Sequence, residues 1–466
     1  MRWSIKLLGL ISTVILARIL APDDYGIVAM AMLVVGLAEV LVDFGADTNV
    51  LREQTLTRDL IDSAWSLRII QGGIVAALLA VAAPLAEMFF EEPRVVWVIW
   101  VTAACLFIAS FSNIGMTLAR KEFQFGLEYR YNIYSKLIAV IVTIIAALII
   151  RDYRALVLGI AVGFISRLIL SYAMHAYRPS WNTSRLRSMW HFSKWLLISG
   201  IANYATLKSD ELIAGRIGDA HSLGIYSVAS EIGQMPTAEL GPPIMRAFLP
   251  TLSTIKDDMD RVRAAVLKTL GAVNTLTIAA ACGFVAVAEP LTLVLLGEKW
   301  AGVAPFLAIF ALVGAFKVAV APFSGLFLLL GYSKLHARVM WVEFLAFLVA
   351  AALLAPGLGI IGLAYARLAS AITYLLLNLH AAKSSAGIHY GRMWAAFWRP
   401  LIAATLMLLV ISLLPVPVGD IYFGLAIKVI TGATVYLSAL FISWKLSGRP
   451  DGIETLVFTR LALFRS

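Results

Sequence analysis

Fourteen apolar runs follow one another along the chain, at residues 3–20, 25–42, 64–89, 95–116, 133–150, 155–174, 192–213, 223–250, 266–296, 303–330, 339–355, 360–381, 393–414 and 421–443. Crossing hydrocarbon takes about 20 apolar residues in a helix, because no water is present to satisfy the backbone and only a helix or a closed barrel does so internally. Barrel strands would alternate apolar and polar residues in segments of about ten. These runs are apolar throughout, so they predict helices. With 61% hydrophobic and only 14% charged residues, and a mean hydropathy of +0.87, no room is left for a sizeable soluble domain. The expected fold class is an all-α polytopic membrane protein of about 14 transmembrane helices. Arg2, Lys6 and the apolar stretch behind them imitate a secretory signal, but the many further spans and the lack of a convincing cleavage site predict a retained first helix.

The net charge of +10 fits either nucleic acid or cytoplasmic membrane loops, and its distribution decides between them. Even-numbered connections hold Arg52 and Arg58, then Arg120, Lys121 and Arg130, then Arg178, Arg185, Arg187 and Lys194, then Lys256, Arg261, Arg263 and Lys268, and later Lys334, Arg338, Lys383, Arg392 and Arg399. Odd-numbered connections hold Arg94, Arg151, Arg154 and Lys299 at most. Basic residues concentrate in short cytoplasmic loops, so both termini are expected in the cytoplasm, and no nucleic-acid partner is needed to explain a pI of 9.6.

The two halves resemble each other. Arg18-Ile19, six residues, then Gly26-Ile27 returns as Arg216-Ile217, six residues, then Gly224-Ile225; Pro84-Leu85 matches Pro290-Leu291, and Phe111-Ser112 matches Phe323-Ser324. Six helices being an even number, both repeats begin on the same side and are parallel. The expected organisation is an N-lobe of helices 1–6 over 1–178, a C-lobe of helices 7–12 over 190–384, two appended helices over 390–446 and a cytoplasmic tail over 447–466. A substrate site is expected between the repeats.

Enzyme motifs do not survive their context. Gly357-Leu358-Gly359-Ile360-Ile361-Gly362 is a literal G-x-G-x-x-G, but it follows Pro356 between two apolar helices, without a strand before it or a ribose-binding carboxylate after it. Asp258-Met259-Asp260 has the D-x-D pattern of metal-dependent sugar-nucleotide enzymes, in a loop too short for a nucleotide domain. The histidines show no ligand spacing, the Asn182-Thr183-Ser184 sequon falls on the cytoplasmic side, and Cys105 and Cys282 sit in apolar runs as small hydrophobes. No catalytic residue, metal or cofactor is expected.

What remains is the ionisable residues inside the spans, each costing roughly 2.5–3.5 kcal/mol at a helix centre on insertion scales. Glu231, Met235, Glu239, Pro242 and Arg246 are spaced by three or four and share one face of the eighth span. Glu39 and Asp43 lie four apart in the second span, Lys208, Asp210 and Glu211 lie in the seventh, Lys317 stands alone in the tenth, and Arg18 ends the first. Such residues predict a hydrated cavity. Pro242-Pro243, Pro290, Pro305 and Pro322 are expected bend points in the eighth to tenth spans.

Leu16-Ala17-Arg18-Ile19-Leu20-Ala21-Pro22-Asp23-Asp24-Tyr25-Gly26 resembles the opening signature of the bacterial polysaccharide-transporter (Wzx-type) oligosaccharide flippases of the multidrug/oligosaccharidyl-lipid/polysaccharide exporter superfamily. Asp43-Phe44-Gly45-Ala46, Arg120-Lys121-Glu122-Phe123-Gln124-Phe125, Leu223-Gly224-Ile225-Tyr226 and Gly359-Ile360-Ile361-Gly362-Leu363-Ala364 continue the likeness in order, to about Lys383. The resemblance implies the superfamily's fold, shared with multidrug antiporters. It also implies movement of an undecaprenyl-pyrophosphate-linked oligosaccharide between the leaflets of the bacterial cytoplasmic membrane, serving O-antigen, capsule or exopolysaccharide. Its partners would be that lipid, membrane lipid and other polysaccharide-assembly membrane proteins. A diphosphate head group calls for a cationic cleft, with Arg18, Lys208, Arg246 and Lys317 as candidate ligands. Glu39, Asp43, Glu231 and Glu239 are the candidates for ion coupling. The competing readings are an organic-cation antiporter of the same superfamily, which would favour an acidic or aromatic site, and a membrane-bound glycan-assembly enzyme, which would bring catalytic acids or a large outer loop.

Overall fold

The computed structural model describes residues 2–43, 46–53, 55–414 and 421–449, without side chains at 2, 41–43, 46, 52, 187, 188, 190–199, 202, 242, 247 and 249. Among the described residues there are nineteen α-helices and no strand. They are α1 (Arg2–Ile19), α2 (Pro22–Asp43), α3 (Ala46–Arg52), α4 (Arg58–Phe90), α5 (Arg94–Ser110), α6 (Gly115–Lys121), α7 (Phe125–Ile150), α8 (Arg154–Met174), α9 (Leu186–Ile217), α10 (Ala220–Ala238), α11 (Gly241–Thr254), α12 (Met259–Leu295), α13 (Val303–Ala319), α14 (Ala321–Leu329), α15 (Ser333–Leu358), α16 (Ile360–Ala386), α17 (Tyr390–Trp394), α18 (Trp398–Leu413) and α19 (Ile421–Leu446). Each of the fourteen apolar runs lies in one of these helices or in a consecutive pair, apart from the end residues Leu20, Leu296, Leu330 and Leu414.

Among the described residues, nine spans are long and apolar enough to cross a membrane, or ten when the bent pair α5–α6 counts as one. The remaining four runs, in α1, α2, α9 and α10–α11, are helical as well, and a total of 14 crossings stands as a proposal. The outward surface has the character that lipid requires: Ile149, Leu353 and Leu413 are 77%, 75% and 82% exposed. In water such a surface would aggregate; in hydrocarbon it carries no penalty. This is a multi-pass membrane protein.

Contacts divide the chain into two compact units, residues 1–227 and 228–466. Helix lengths repeat along the chain. The series α4 to α8 runs 33, 17, 7, 26 and 21 residues, and α12 to α16 runs 37, 17, 9, 26 and 27. Each unit therefore has a long helix, a 17-residue helix, a break, a short helix and a hairpin. The break in the first unit divides the run 95–116, expected as one continuous helix, into α5 and α6, which meet at 65°. Phe111-Ser112-Asn113 carries no proline to announce it.

A break inside a membrane frees backbone groups that must find other partners. The Arg68 guanidinium of α4 donates to the Ser110 carbonyl at 3.1 Å and to that of Ser112, and the Phe111 carbonyl accepts from Tyr172 Oη at 2.9 Å. In the second unit Asn274 Nδ2 of α12 donates to the Ala319 carbonyl at the α13–α14 break, at 3.3 Å. Arg68 and Asn274 are separated by the same interval as Pro84 and Pro290, so equivalent positions on the two long helices serve the two breaks. Pro84 and Pro290 both lie inside uninterrupted helices. Pro290 is therefore not the interruption expected of it; near the end of a long helix the lost donor is tolerated.

The connection after α8 is tied back onto α4. Asp62, 2% exposed, accepts from Tyr177 Oη at 2.7 Å and from the Ser180 hydroxyl at 2.6 Å, while Ser66 Oγ accepts the Asn182 amide at 2.9 Å.

Candidate functional site

The repeated Arg-Ile and Gly-Ile signature builds a contact between the first turns of α2 and α10. Pro22 and Ala220 open the two helices, and Gly26 and Gly224 are the fifth residue of each. A Cβ on Gly26 would overlap the Ala220 carbonyl oxygen, and one on Gly224 would overlap that of Pro22. The contact is reciprocal, as for two copies of one motif around a two-fold axis. Asp23 and His221, equivalent positions in the motif, meet on that axis with Oδ2 and Nδ1 2.9 Å apart. Arg216, the second copy's counterpart of Arg18, pairs with Glu91 at 2.7 Å. The Ser222 hydroxyl and amide hold the Asp219 carboxyl below its ordinary value.

Below this corner α9 presents Tyr204, Lys208 and Glu211 on one face. Tyr204 Oη donates to the Leu33 carbonyl of α2 at 2.8 Å, with Gly36 leaving room for the ring. Lys208 and Glu211 form an ion pair of 2.5 Å, and Asp210, 4% exposed, accepts from Tyr226 Oη of α10 at 3.1 Å. Glu39 of α2 is an electrostatic neighbour of Tyr204.

The second unit holds a matching arrangement. Lys317 of α13 pairs with Glu343 of α15 at 2.8 Å, the carboxylate being the more buried partner. One turn further along α15, Phe347 lies under the Arg367 guanidinium of α16, 4.8 Å from ring centre to Cζ. Arg367 is 5% exposed.

Each unit also contains a cavity. In the first, α1, α2, α7 and α8 enclose about 360 Å³, with Lys136 and Arg167 in its wall. In the second, α12, α18 and α19 enclose about 530 Å³ lined almost wholly by aliphatic and aromatic groups, Lys428 being the charged exception.

The expected site residues therefore fare differently. Lys317 lacks a carboxylate on its own helix, as expected, but it is not alone: Glu343 reaches it from α15, a partner that spacing within one helix does not reveal. The single polar face over 231–246 is corrected. The chain breaks between α10 and α11, where Pro242 and Pro243 open the new helix; Glu231 and Arg246 are exposed and Glu239 is buried. Arg18 is exposed at the end of α1, Glu39 is half-buried, and the Asp43 side chain lies outside the described residues. Asp258 caps α12 by accepting the Asp260 and Arg261 amides, the structural role of a loop carboxylate. Cys105 and Cys282 are free. Sequence reasoning passed over Lys136, Arg167, Glu343, Arg367 and Lys428, although each is an ionisable residue within or beside an apolar run.

The model of a family described as "Polysaccharide biosynthesis protein" matches residues 15–305. The chain is 25% identical over 447 residues to an uncharacterized membrane protein in the cps region of Klebsiella pneumoniae, covering 94% of this chain and 92% of that protein. It is 23% identical over 314 residues to the lipopolysaccharide biosynthesis protein WzxC of Escherichia coli strain K12, covering 66% of this chain and 64% of that one. Its fold is similar to that of the lipid II flippase MurJ in an inward closed conformation, with a TM-score of 0.73, 15% identity and coverage of 95% of this chain and 98% of that one.

Proposed function

Since the chain belongs to the polysaccharide biosynthesis protein family, we propose that it is a flippase for an undecaprenyl-pyrophosphate-linked oligosaccharide, moving it from the inner to the outer leaflet of the bacterial cytoplasmic membrane. Family and fold point to transport rather than catalysis, and the proposed cycle makes and breaks no covalent bond. The product would supply a surface polysaccharide and pass to other membrane proteins of its assembly.

The observation that carries this reading is the pairing of lysines with carboxylates inside apolar helices, Lys208 with Glu211 and Lys317 with Glu343. An organic-cation exporter needs its intramembrane carboxylates for the substrate; here two of them are already engaged by lysines. An anionic head group has the opposite need: it can draw a lysine from its carboxylate, and the carboxylate released then takes a proton or a cation. Arg18, Lys208, Arg246 and Lys317 are proposed as ligands of the anion along its route. Glu39, Asp43, Glu231 and Glu239 are proposed for coupling, with alternating access of the N-lobe and C-lobe repeats. The apolar cavity by α12, α18 and α19 suits a prenyl chain, which gains nothing from polar walls.

Two measurements test the reading. Purified protein in proteoliposomes should translocate a fluorescent prenyl-diphosphate-linked glycan and leave an organic cation dye untransported; dye transport without glycolipid movement overturns it in favour of the antiporter. Orientation is tested separately. With both termini cytoplasmic, alkaline phosphatase fused after Gly359 should be active and fused after Arg392 inactive; the reverse pattern inverts the topology.

A further inference from the structure

Lys136 of α7 and Arg167 of α8 stand in apolar helices and, among the described residues, neither forms an ion pair with a carboxylate. Their relative position follows from the packing of the hairpin. A Cβ on Gly159 would overlap the Thr143 hydroxyl, and Gly163 faces Ala139, so each turn of α7 meets one turn of α8 in antiparallel register. One turn further from the connection, that register brings Ser135 and Lys136 opposite Ser166 and Arg167. At 1.5 Å per residue both cations lie roughly 20 Å from the helix ends that flank the connection, at one depth.

Both line the cavity of about 360 Å³ that α1 and α2 complete. Leu16, which lines the cavity, packs with Leu20, Ala146, Ala147 and Ala155 in a buried apolar cluster. Val28, Val140 and Ile160 give the cavity apolar walls beside the two cations. Of the arginines that are electrostatic neighbours of Tyr131, Arg68 is paired with Asp47 at 3.8 Å and Arg120 with Glu128 at 3.0 Å, whereas Arg167 has no such pair among the described residues. Lys136 and the exposed Arg167, neither paired with a carboxylate among the described residues, line the same open cavity, and a ligand bearing more than one negative charge can engage both.

We propose that this cavity binds the diphosphate of a prenyl diphosphate, with the Arg167 guanidinium as a forked donor and the Lys136 ammonium as a second point charge. This rests on the reading of the chain as a glycolipid flippase and adds a binding site to it. A phosphodiester headgroup, with one charge, leaves one of the two cations uncompensated, so a diphosphate is the better match. Unlike Lys208 and Lys317, these cations have no carboxylate from which a ligand must first release them.

The test uses the full chain in detergent and farnesyl diphosphate as the probe, with binding measured by calorimetry. Lys136→Gln/Arg167→Gln should weaken binding at least tenfold and Lys136→Arg should retain it, with all variants held to the wild-type unfolding midpoint as the control for folding. Farnesyl monophosphate should bind more weakly than the diphosphate, and phosphatidylglycerol micelles should not displace it. Unchanged affinity in the double variant overturns the site; displacement by phosphatidylglycerol at equal concentration reassigns it to anionic phospholipid and overturns the diphosphate. Glycolipid translocation separates the two levels. If the wild type flips the lipid and the double variant does so equally well, this site is wrong and the flippase reading stands; if the wild type binds the probe and moves no glycolipid, the flippase reading fails while the site stands.

Discussion

Replacing Gly26 or Gly224 by valine should abolish glycolipid translocation while leaving the protein inserted in the membrane. Both glycines sit where one helix start meets the backbone carbonyl of the other, and a carbonyl held by its own helix cannot move aside as a flexible side-chain end can. Forcing atoms into such a contact costs about 1–3 kcal/mol. Set against one conformation only, that cost shifts its population roughly 5–150-fold. The contact also brings Asp23 and His221 together, so it has a direct reporter. In a background freed of Cys105 and Cys282, Asp23→Cys with His221→Cys should form a disulfide readily, and the added Gly224→Val should suppress it. The two valines should not be additive, because each separates the same pair of helix starts. Alanine should produce an intermediate loss. Wild-type transport together with undiminished cross-linking in the valine variants would show that the corner takes no part in the cycle.

The same corner shows how far the amino-acid sequence carries. Arg-Ile, six residues and Gly-Ile form a local pattern, and local patterns survive in a sequence; the two copies do open α2 and α10 at the same position. That the copies touch each other is a matter of symmetry in space, which spacing along the chain does not contain. The apolar runs were legible for the same reason, since hydrocarbon tests each segment on its own. The α5–α6 break was not, because the groups that make it tolerable come from elsewhere: Arg68 from α4, and Ser171 and Tyr172 from α8. Lys317 shows the limit at the candidate site. Its cost in an apolar helix was visible, but the group that offsets the cost arrives from α15, two helices on. Lys136 and Arg167 were equally visible as charges, and only the α7–α8 register reveals them as neighbours.

That pairing leads to the second large effect. Lys317→Met should destabilise the protein by about 3 kcal/mol, because the mostly buried Glu343 carboxylate loses its partner, and the double variant Lys317→Met/Glu343→Leu should recover most of the loss. Unfolding midpoints in detergent measure both. A purely structural pair predicts that transport recovers along with stability, since an apolar replacement packs the same space without leaving a charge behind. A pair that opens during the cycle predicts a different result: the double variant is stable and does not transport, because neither a cation for the head group nor a carboxylate to take up the coupling ion is left. Stability and transport should therefore separate in the double variant, and translocation by it at the wild-type rate would confine Lys317 and Glu343 to holding α13 and α15 together. Glu343→Gln sharpens the distinction. It keeps a hydrogen-bond acceptor for Lys317 and removes the titratable group, so transport should lose its dependence on an imposed pH gradient if this carboxylate is where the proton binds.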